Sequence, residues 1–432
     1  MRVFADLHIH SPYSQATSND LSVANLEKYG RMKGISLLGT GDLTHPTWLA
    51  ELKQGLTDDG SGILATKSGY HFVLSGEISL IYTHAGKGRR VHLCLLAPSF
   101  DVAERIQKML LRFGRLDYDG RPIFGVSCPA MVEALRAVDE RIEIIPAHIW
   151  TPWFSLFGSK SGFDSVEECF QDQAKHIRCL ETGLSSDPAM NWRLSSLDRY
   201  TLVSNSESHS YWPWRIGREG NLLDLKEWSY DNLVHTLRTR KGFLETIEFW
   251  PHEGKYHFDG HRACGVCFSP EESRRHRNIC PKCGQPLTIG VANRVAELAD
   301  RPEGFRPEGA VPFRNLIPLH ELISGALGSA VASKKVWAAY AKLIEGFGNE
   351  MAALLDAPEQ ELAKHAEPAI VKLILANRDQ KVPFSPGYDG EYGKPDFSQW
   401  LGVEKKKTKG MNAQEKEPQR PLPAQKGLAD YF

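Results

Sequence analysis

The sequence predicts an α/β fold followed by two smaller units, and three observations predict it. Strand-like and helix-like segments alternate over residues 1–250. Four cysteines then fall as two CxxC pairs within residues 251–295. Apolar residues at helical spacing take over in residues 296–385, ahead of a Pro/Gly-rich and then charged tail over 386–432. Alternation of the first kind argues for a parallel sheet or barrel. The cysteine pairs argue for a small four-cysteine zinc-binding domain, and the last stripe for a helical C-terminal domain.

Taken in order, the first element is a short β-type run from Val3 to Leu7. His8 and His10 follow it, two residues apart on an extended segment, and so project to one side. Asp20-Leu21-Ser22 reads as a helix start, with Leu26, Tyr29 and Met32 as its apolar face and Gly34 as a left-handed stop. Ile35 to Thr40 reads as a buried strand ending near Asp42. Further runs carry Glu77 (FVLSGE), His92 (VHLCLL), His148 (IEIIPAH), and Glu207 and His209 (LVSNSESH). Val102 to Phe113, stopped by Gly114, and Met131 to Val138 are amphipathic helices, and Ile142 to Ile145 is a strand. In a (βα)n barrel, chemistry gathers where strands end and loops converge. His8, His10, Asp42, His148, Glu207 and His209 fit that placement; Glu77 and His92 sit nearer the middle or start of their runs.

Composition narrows the function. A chain of 432 residues suggests two or three domains, and 41% hydrophobic with 24% charged residues is ordinary for a soluble globular protein. No apolar run approaches the ~20 residues that span a bilayer, so no membrane partner is expected. The opening MRVFADLHIH lacks the apolar core of a signal peptide, which predicts a cytoplasmic location. A formal net charge of −1 excludes a globally basic nucleic-acid binder, so any DNA contact must use local patches. Of the eight cysteines, Cys94, Cys128, Cys169 and Cys179 are scattered and read as small buried apolar residues.

An isolated His-x-His is most simply a surface or core feature. Its repetition by carboxylates and imidazoles at five further strand-like runs points instead to metal. Eight such residues exceed what one four- to six-coordinate ion can use, so two or three divalent ions (Zn²⁺, Mn²⁺ or Mg²⁺) are expected. Clustered ions lower the pKa of a bound water and clamp phosphate oxygens, which favours phosphoester hydrolysis over amide hydrolysis.

These residues resemble the four-motif pattern of the PHP (polymerase and histidinol phosphatase) superfamily: Asp6-Leu7-His8-Ile9-His10-Ser11, Thr40-Gly41-Asp42, Gly76-Glu77, the His92 strand, Ala147-His148 and Ser206-Glu207-Ser208-His209. The resemblance covers about half the chain and implies a distorted (βα)7 barrel with a trinuclear metal site. His8, Glu207 and His209 are then expected to carry catalysis. Two departures stand out. The usual Thr-Asp-His is Thr40-Gly41-Asp42 here, which gives Asp42 the ligand role and leaves His45 as the alternative. The usual Ser-Asp-x-His carries Glu207 in place of the aspartate. Glu181, in Leu-Glu-Thr-Gly, matches a further strand end and either orients a ligand or is one.

In the second half, Cys264-Gly-Val-Cys267, twelve residues and Cys280-Pro-Lys-Cys283-Gly284 predict one structural zinc held by four cysteines. The insert carries Arg274, Arg275 and Arg277, and a Gly-softened loop before His92 carries Lys87, Arg89 and Arg90. Alone, each charge run is a solvated face; beside a phosphodiester-cleaving barrel, each reads as a phosphate grip. Asn315 to Leu327, Ser333 to Phe347 and a segment opened by Pro358 read as helices. The tail is expected to be a disordered linker ending in Gln425-Lys-Gly-Leu428-Ala-Asp-Tyr431-Phe432. That octamer fits the peptide that docks on PCNA-type sliding clamps, with Leu428 and the two aromatics filling an apolar pocket beside Gln425.

Barrel, ribbon, helical region and clamp peptide together resemble the endonuclease Q family of DNA-repair nucleases. The resemblance implies a monomeric, nucleoid-associated enzyme acting on double-stranded DNA with a damaged base. It would nick 5′ to uracil, hypoxanthine, xanthine or an abasic site, leaving 3′-OH and 5′-phosphate ends. A lesion pocket would accept the extruded base, with Tyr13, Trp48, Trp150, Trp153, Phe154, Tyr211, Trp212 and Trp214 as candidates to line it. Two rivals are a histidinol-phosphatase-like small-molecule phosphoesterase, which has no use for a basic ribbon, and a non-catalytic DNA scaffold, which has no use for the metal residues.

Overall fold

The computed structural model describes residues 1–402. Strand β1 (Arg2–Asp6) leads to α1 (Val23–Lys33), where Ser22 accepts a hydrogen bond from the Asn25 amide and Gly34 closes the helix in the left-handed region. There follow β2 (Leu37–Gly39), α2 (Pro46–Gly55), β3 (His71–His84), β4 (Lys87–Ala97), α3 (Phe100–Leu110), α4 (Cys128–Val138) and β5 (Glu143–Pro146). Next come β6 (Cys179–Glu181), β7 (Thr201–Val203), β8 (Gly220–Asp224), α5 (Tyr230–Thr239) and β9 (Phe243–Glu248). The cysteine-bearing unit supplies β10 (Asp259–His261), β11 (Val266–Phe268) and α6 (Val291–Leu298). Beyond it lie β12 (Phe313–Asn315), α7 (Leu319–Leu327), α8 (Lys334–Phe347), α9 (Glu359–His365) and α10 (Pro368–Arg378).

A ten-stranded sheet, in the order β12-β9-β8-β1-β2-β3-β4-β5 with two short strands attached to β3, curls into a half-barrel. The parallel pair β6–β7 spans the opening. The Ile149 amide donates to the Glu181 carbonyl (3.1 Å) on one side, and the His10 amide to the Ser208 carbonyl (2.9 Å) on the other. The result is a distorted barrel of the expected class.

Side chains sort by the two-residue period of a strand. Val3, Ala5, Leu37, Val73, Cys94, Leu96, Ile145, Cys179 and Val203 form one buried cluster inside the curl. Phe4, Leu38, Phe72, Leu74, Leu93, Leu95, Ile144 and Leu180 face the helices outside. A separate core of Ile317, Leu322, Val336, Tyr340, Leu373 and Ile374 holds the helical region together.

The sheet is not parallel throughout. β1, β2 and β3 pair in parallel as expected, whereas β3–β4 and β4–β5 are antiparallel. Residues 82–90, expected as a basic loop, form the end of the β3–β4 hairpin. Its two-residue turn has Ala85 at φ 49° and Gly86 at φ 74°, the doubly left-handed geometry that matches strand twist. Two residues leave no room for a parallel crossover. The first C-terminal helix begins at Leu319 rather than Asn315, because residues 313–315 pair with β9. Pro358 precedes α9 as its N-cap rather than opening it at the first position. No helix among the described residues is long and apolar enough to cross a membrane.

Candidate metal centre

The barrel interior ends in a layer of imidazoles and carboxylates. Glu77 continues the inward face of β3 that begins at Val73, and His92 shares the inward face of β4 with Cys94 and Leu96. Their unequal positions along the sequence runs are reconciled by the hairpin. In the antiparallel register Glu77 lies opposite Cys94 and Ser79 opposite His92, so the late part of β3 and the early part of β4 share one end of the barrel. Glu181 continues the Cys179 face of β6 in the same way.

Glu77 is the hub. One carboxylate oxygen lies 3.6 Å from His8 Nε2 and 3.4 Å from His10 Nε2. The other lies 2.7 Å from His92 Nδ1 and 3.1 Å from His148 Nε2. Two groups of donors, His8–His10–Glu77 and Glu77–His92–His148, therefore share this carboxylate. Both first-group imidazoles present a buried Nε2 that has no hydrogen-bond partner. Convergent imidazoles with orphaned nitrogens around a bridging carboxylate fit a pair of divalent ions.

The opposite face of each leading imidazole is fixed by a carboxylate. His8 Nδ1 lies 3.0 Å from Glu181 Oε1, and Glu181 also accepts from the His148 amide (2.9 Å) and Asn205 Nδ2 (2.8 Å). His10 Nδ1 lies 3.1 Å from Asp42 Oδ1. Asp42 Oδ2 accepts from the Ser11 amide (2.6 Å) and Ser14 Oγ (2.9 Å). Asp42 thus stands behind His10 and outside the convergent donor groups, where it sets the tautomer of the ring. His45, the alternative to it, caps α2 instead. Glu207 and His209 form the rim. Glu207 Oε1 is 3.8 Å from His148 Nε2, and the His209 ring lies 4.3 Å from that of His10.

Two features of this centre escaped the sequence. Arg121 reaches in from a loop, its Nη1 3.1 Å from Glu77 Oε2 and 3.8 Å from Glu207 Oε1. A lone arginine among Asp119-Gly120-Arg121-Pro122 carries no sequence signal. Gly120 beside it is required by space, since a Cβ there would meet Asp42 Oδ2 at 2.2 Å. Cys94, read as a small apolar residue, forms a close group with His8 and Glu181.

The electrostatics follow from burial among charges. Burial opposes ionisation of Glu77, yet His92, Arg121 and His8 outweigh it and hold the carboxyl well below the ordinary range. Burial pushes His92 down to about 4 despite Glu77. Burial, helped by His10, does the same to His209, also about 4. At His8 and His148 burial is outweighed instead, by Cys94, Glu181 and Glu77 at the first and by Glu207 and Glu77 at the second, so both are raised. Neutral imidazoles and ionised carboxylates are the forms that bind cations, so an ion held by these two rings would displace their protons. The backbone is strained at the same place: Asp42 (φ 45°), His148 (φ 33°) and Glu207 (φ 50°) are non-glycine residues in the left-handed region. Such conformations cost ~1–3 kcal/mol each and collect at functional sites.

In the ribbon, Cys264, Cys280 and Cys283 come together, but the fourth member of the group is His261, not Cys267. Arg274, Arg275 and Arg277 are exposed on the insert and Lys87 at the hairpin tip. Arg89 is not available as a phosphate grip. It is buried, paired with Glu168 (3.1 Å), hydrogen-bonded to the Gly162 carbonyl, and its guanidinium lies over Phe163 at 4.1 Å. Arg90 lies over Phe154 at 5.3 Å. Of the candidate aromatics, Trp48, Trp150, Tyr211 and Trp214 are buried, and Trp214 stacks 5.2 Å from Trp212, both meeting Trp337 of α8. Gln425, Leu428, Tyr431 and Phe432 lie outside the described residues. Beside Glu207 and His209 opens a cavity of about 360 Å³, also lined by Ser206, Ser208, Ser210, Arg215 and Arg218.

A family model described as the MJ0043 C-terminal domain matches residues 318–381, the stretch of α7 to α10. The chain is 32% identical to the protein MJ0043 of Methanocaldococcus jannaschii over 301 residues. These make up 67% of this chain and 35% of that protein, so the chain spans about a third of that relative's length. The crystal structure of the lesion-specific endonuclease PfuEndoQ from Pyrococcus furiosus matches with a TM-score of 0.82 at 30% identity, over 91% of this chain and 95% of that one. The chain belongs to the endonuclease Q family. A second endonuclease Q structure, a complex with a 27-mer duplex substrate carrying an abasic lesion at the active site, matches with a TM-score of 0.83 at 30% identity, over 95% of this chain and all of that one. In this endonuclease Q chain the convergent donors are the pairs His8–His10 and His92–His148 about Glu77.

Proposed function

We propose that this chain is a metal-dependent DNA-repair endonuclease that nicks duplex DNA 5′ to a deaminated base or abasic site, leaving 3′-OH and 5′-phosphate ends. The observation that carries the reading is the sharing of Glu77 between two histidine pairs in a chain of the endonuclease Q family. His8 and His10 would hold one ion and His92 and His148 the other, with Glu77 between them. Divalent ions bound there would supply an activated water and neutralise phosphate charge. Arg121, fixed between Glu77 and Glu207, is placed to pair with a phosphate oxygen at the rim.

The cavity next to Glu207 suits an extruded nucleotide, because Ser210 and Arg215 line it beside His209 and would meet a base edge or phosphate there, while the Ser206 and Ser208 hydroxyls are held by Asp6 and the Ser210 carbonyl. The family relative with an abasic lesion at its active site supports a damaged duplex as substrate. Uracil, hypoxanthine and xanthine extend that reading, since such bases cost little to unstack. Exposed Arg274, Arg275, Arg277 and Lys87 would grip phosphates outside the cleft.

The test is a labelled duplex containing one deoxyuridine or one abasic site, incubated with and without Mg²⁺ or Mn²⁺. A metal-dependent cut on the 5′ side is expected, lost in His8→Ala and in His209→Ala. Equal cleavage of undamaged duplex would sink lesion specificity, and full activity of His8→Ala would sink the metal centre. For the tail, removing residues 425–432 is expected to abolish binding to a trimeric sliding clamp while sparing the nick. Unchanged binding would reject the clamp peptide.

A further inference from the structure

The stretch that carries Arg121 into the metal centre also carries an exposed apolar patch. Leu111 is 61% exposed, Phe113 38%, Tyr118 45% and Ile123 41%, four of the ten exposed large apolar side chains among the described residues. Scattered apolar side chains on a surface need no explanation, whereas a group of them marks a contact. We infer, on the endonuclease reading above, that this patch is a wedge for duplex DNA: Ile123 and Tyr118 enter the base stack where the damaged nucleotide leaves it.

Sheet register places the patch. The short strand Ile123–Phe124 runs parallel to β3, with Ile123 opposite Ser79 and Phe124 opposite Leu80. Ser79 in turn lies opposite His92 of β4. Paired residues share a face of the sheet, so Ile123, Ser79 and His92 form one row on the face that carries Glu77. Phe124 and Leu80 point the other way, into the core. Neighbouring strands lie ~4.8 Å apart, which puts the Ile123 backbone about 10 Å from that of His92. Arg121, two residues earlier, is the group that reaches Glu77 (3.1 Å) and the Glu207 rim (3.8 Å). The patch therefore borders the centre at which a phosphate would be cut.

Local bonding holds the patch in place. The Gly120 amide donates to the Tyr13 carbonyl (3.0 Å), and the Gly120 carbonyl accepts from Thr44 Oγ1 (3.2 Å). The Pro122 carbonyl accepts from the Ser79 amide (2.9 Å). The Ile123 amide donates to Tyr118 Oη (2.7 Å), which keeps the tyrosine beside the isoleucine. Gly114 lies against Phe124, since a Cβ there would be 3.4 Å from its ring, and so brings Phe113 to the same place. Leu116 is buried and anchors the loop between them. Apolar side chains gain nothing from phosphates. They pack against base faces, which a paired duplex offers only where its stack is opened. Extruding a nucleotide opens such a gap beside the phosphate on its 5′ side. A second copy of the chain seated on the patch would instead crowd the centre that a substrate must reach.

The test compares the full-length parent, Ile123→Ser and Tyr118→Ser on two labelled duplexes, with Mg²⁺ or Mn²⁺. Both duplexes carry one deoxyuridine. In one it lies opposite adenine and is fully paired; in the other it sits in a bubble of unpaired bases, where the stack is already open. Each substitution is expected to slow nicking of the paired duplex by ~10-fold or more and of the bubble by less than ~3-fold, because only the first still has to be unstacked. Ile123→Leu, which keeps the apolar bulk, should cut both like the parent. Equal losses on the two duplexes, or none on either, overturn the wedge. A parent that cuts neither duplex rejects the reading of the site on which the wedge rests, and the wedge falls with it. A dimeric parent that these substitutions split into monomers would assign the patch to a second copy and likewise overturn it.

Discussion

Asp42 shows how a single carboxylate can be placed near a metal centre without facing it. Both of its oxygens are engaged, by His10 Nδ1 and by Ser11 and Ser14. A residue that orients a ligand costs ~10–100-fold in metal affinity or activity when replaced, but the number of ions bound at saturation is kept. Asp42→Asn is therefore expected to weaken metal binding by about that factor with unchanged stoichiometry, measured by titration and elemental analysis. Loss of one whole ion would instead make Asp42 a ligand. The sequence made His8, His10, Glu77, His92 and His148 legible because each lines or ends a short apolar run. Arg121 was not legible, since only its approach to Glu77 and Glu207 distinguishes it from any loop arginine. His261 was hidden by a neighbouring cysteine at equally plausible spacing.

Secondary structure was legible where a cap or an amphipathic period marks it. α1 starts after Ser22 and ends at Gly34 as read, and α3 and α4 begin two and three residues earlier than their apolar stripes. The hairpin of β3 and β4 was not, because its turn, Ala85-Gly86, lacks the usual Asn-Gly or Asp-Gly pair. β9 carries a feature no pattern could announce: its last residue, Glu248, is fully buried beside Glu219. Thr246, Thr182 and Ser204 donate to it, yet burial pushes its carboxyl up to about 8. Burial and the neighbouring Glu248 charge also push Glu219 well above its ordinary value. A folded-state pKa above the unfolded value of 4.5 favours folding below pH 4.5, and that contribution is lost as pH rises through about 8. Urea midpoints should therefore fall between pH 5 and pH 8, at up to ~1.4 kcal/mol per pH unit per group. Glu248→Gln, neutral throughout, should flatten the decline. An equally steep decline in that variant would remove Glu248 from the account.

Barrel and helical region are joined by more than chain connectivity. β12, from the segment expected to be purely helical, pairs with β9 of the barrel sheet. Lys33, at the end of α1, reaches Glu350 beyond α8, with Nζ–Oε1 at 2.7 Å, and both side chains are excluded from solvent. Lys33 also donates to the Pro213 carbonyl (2.9 Å), in the loop that follows the His209 rim. Glu350 accepts from the Leu319 amide (3.0 Å) at the start of α7 and from Tyr340 Oη (3.1 Å) on α8. One ion pair thus connects α1, the rim loop and two helices of the far core, and hydrophobic patterning cannot reveal it across 317 positions of separation. Removing one partner of a buried pair strands the other, at ~3–5 kcal/mol, whereas replacing both by neutral groups of similar shape is far milder. Lys33→Met should accordingly lower the thermal midpoint sharply, and the Lys33→Met, Glu350→Gln double variant should recover most of it. If the single variant melts like the parent, the two cores are held together by the aromatic contacts of Trp212, Trp214 and Trp337 and by β12 rather than by this charge pair.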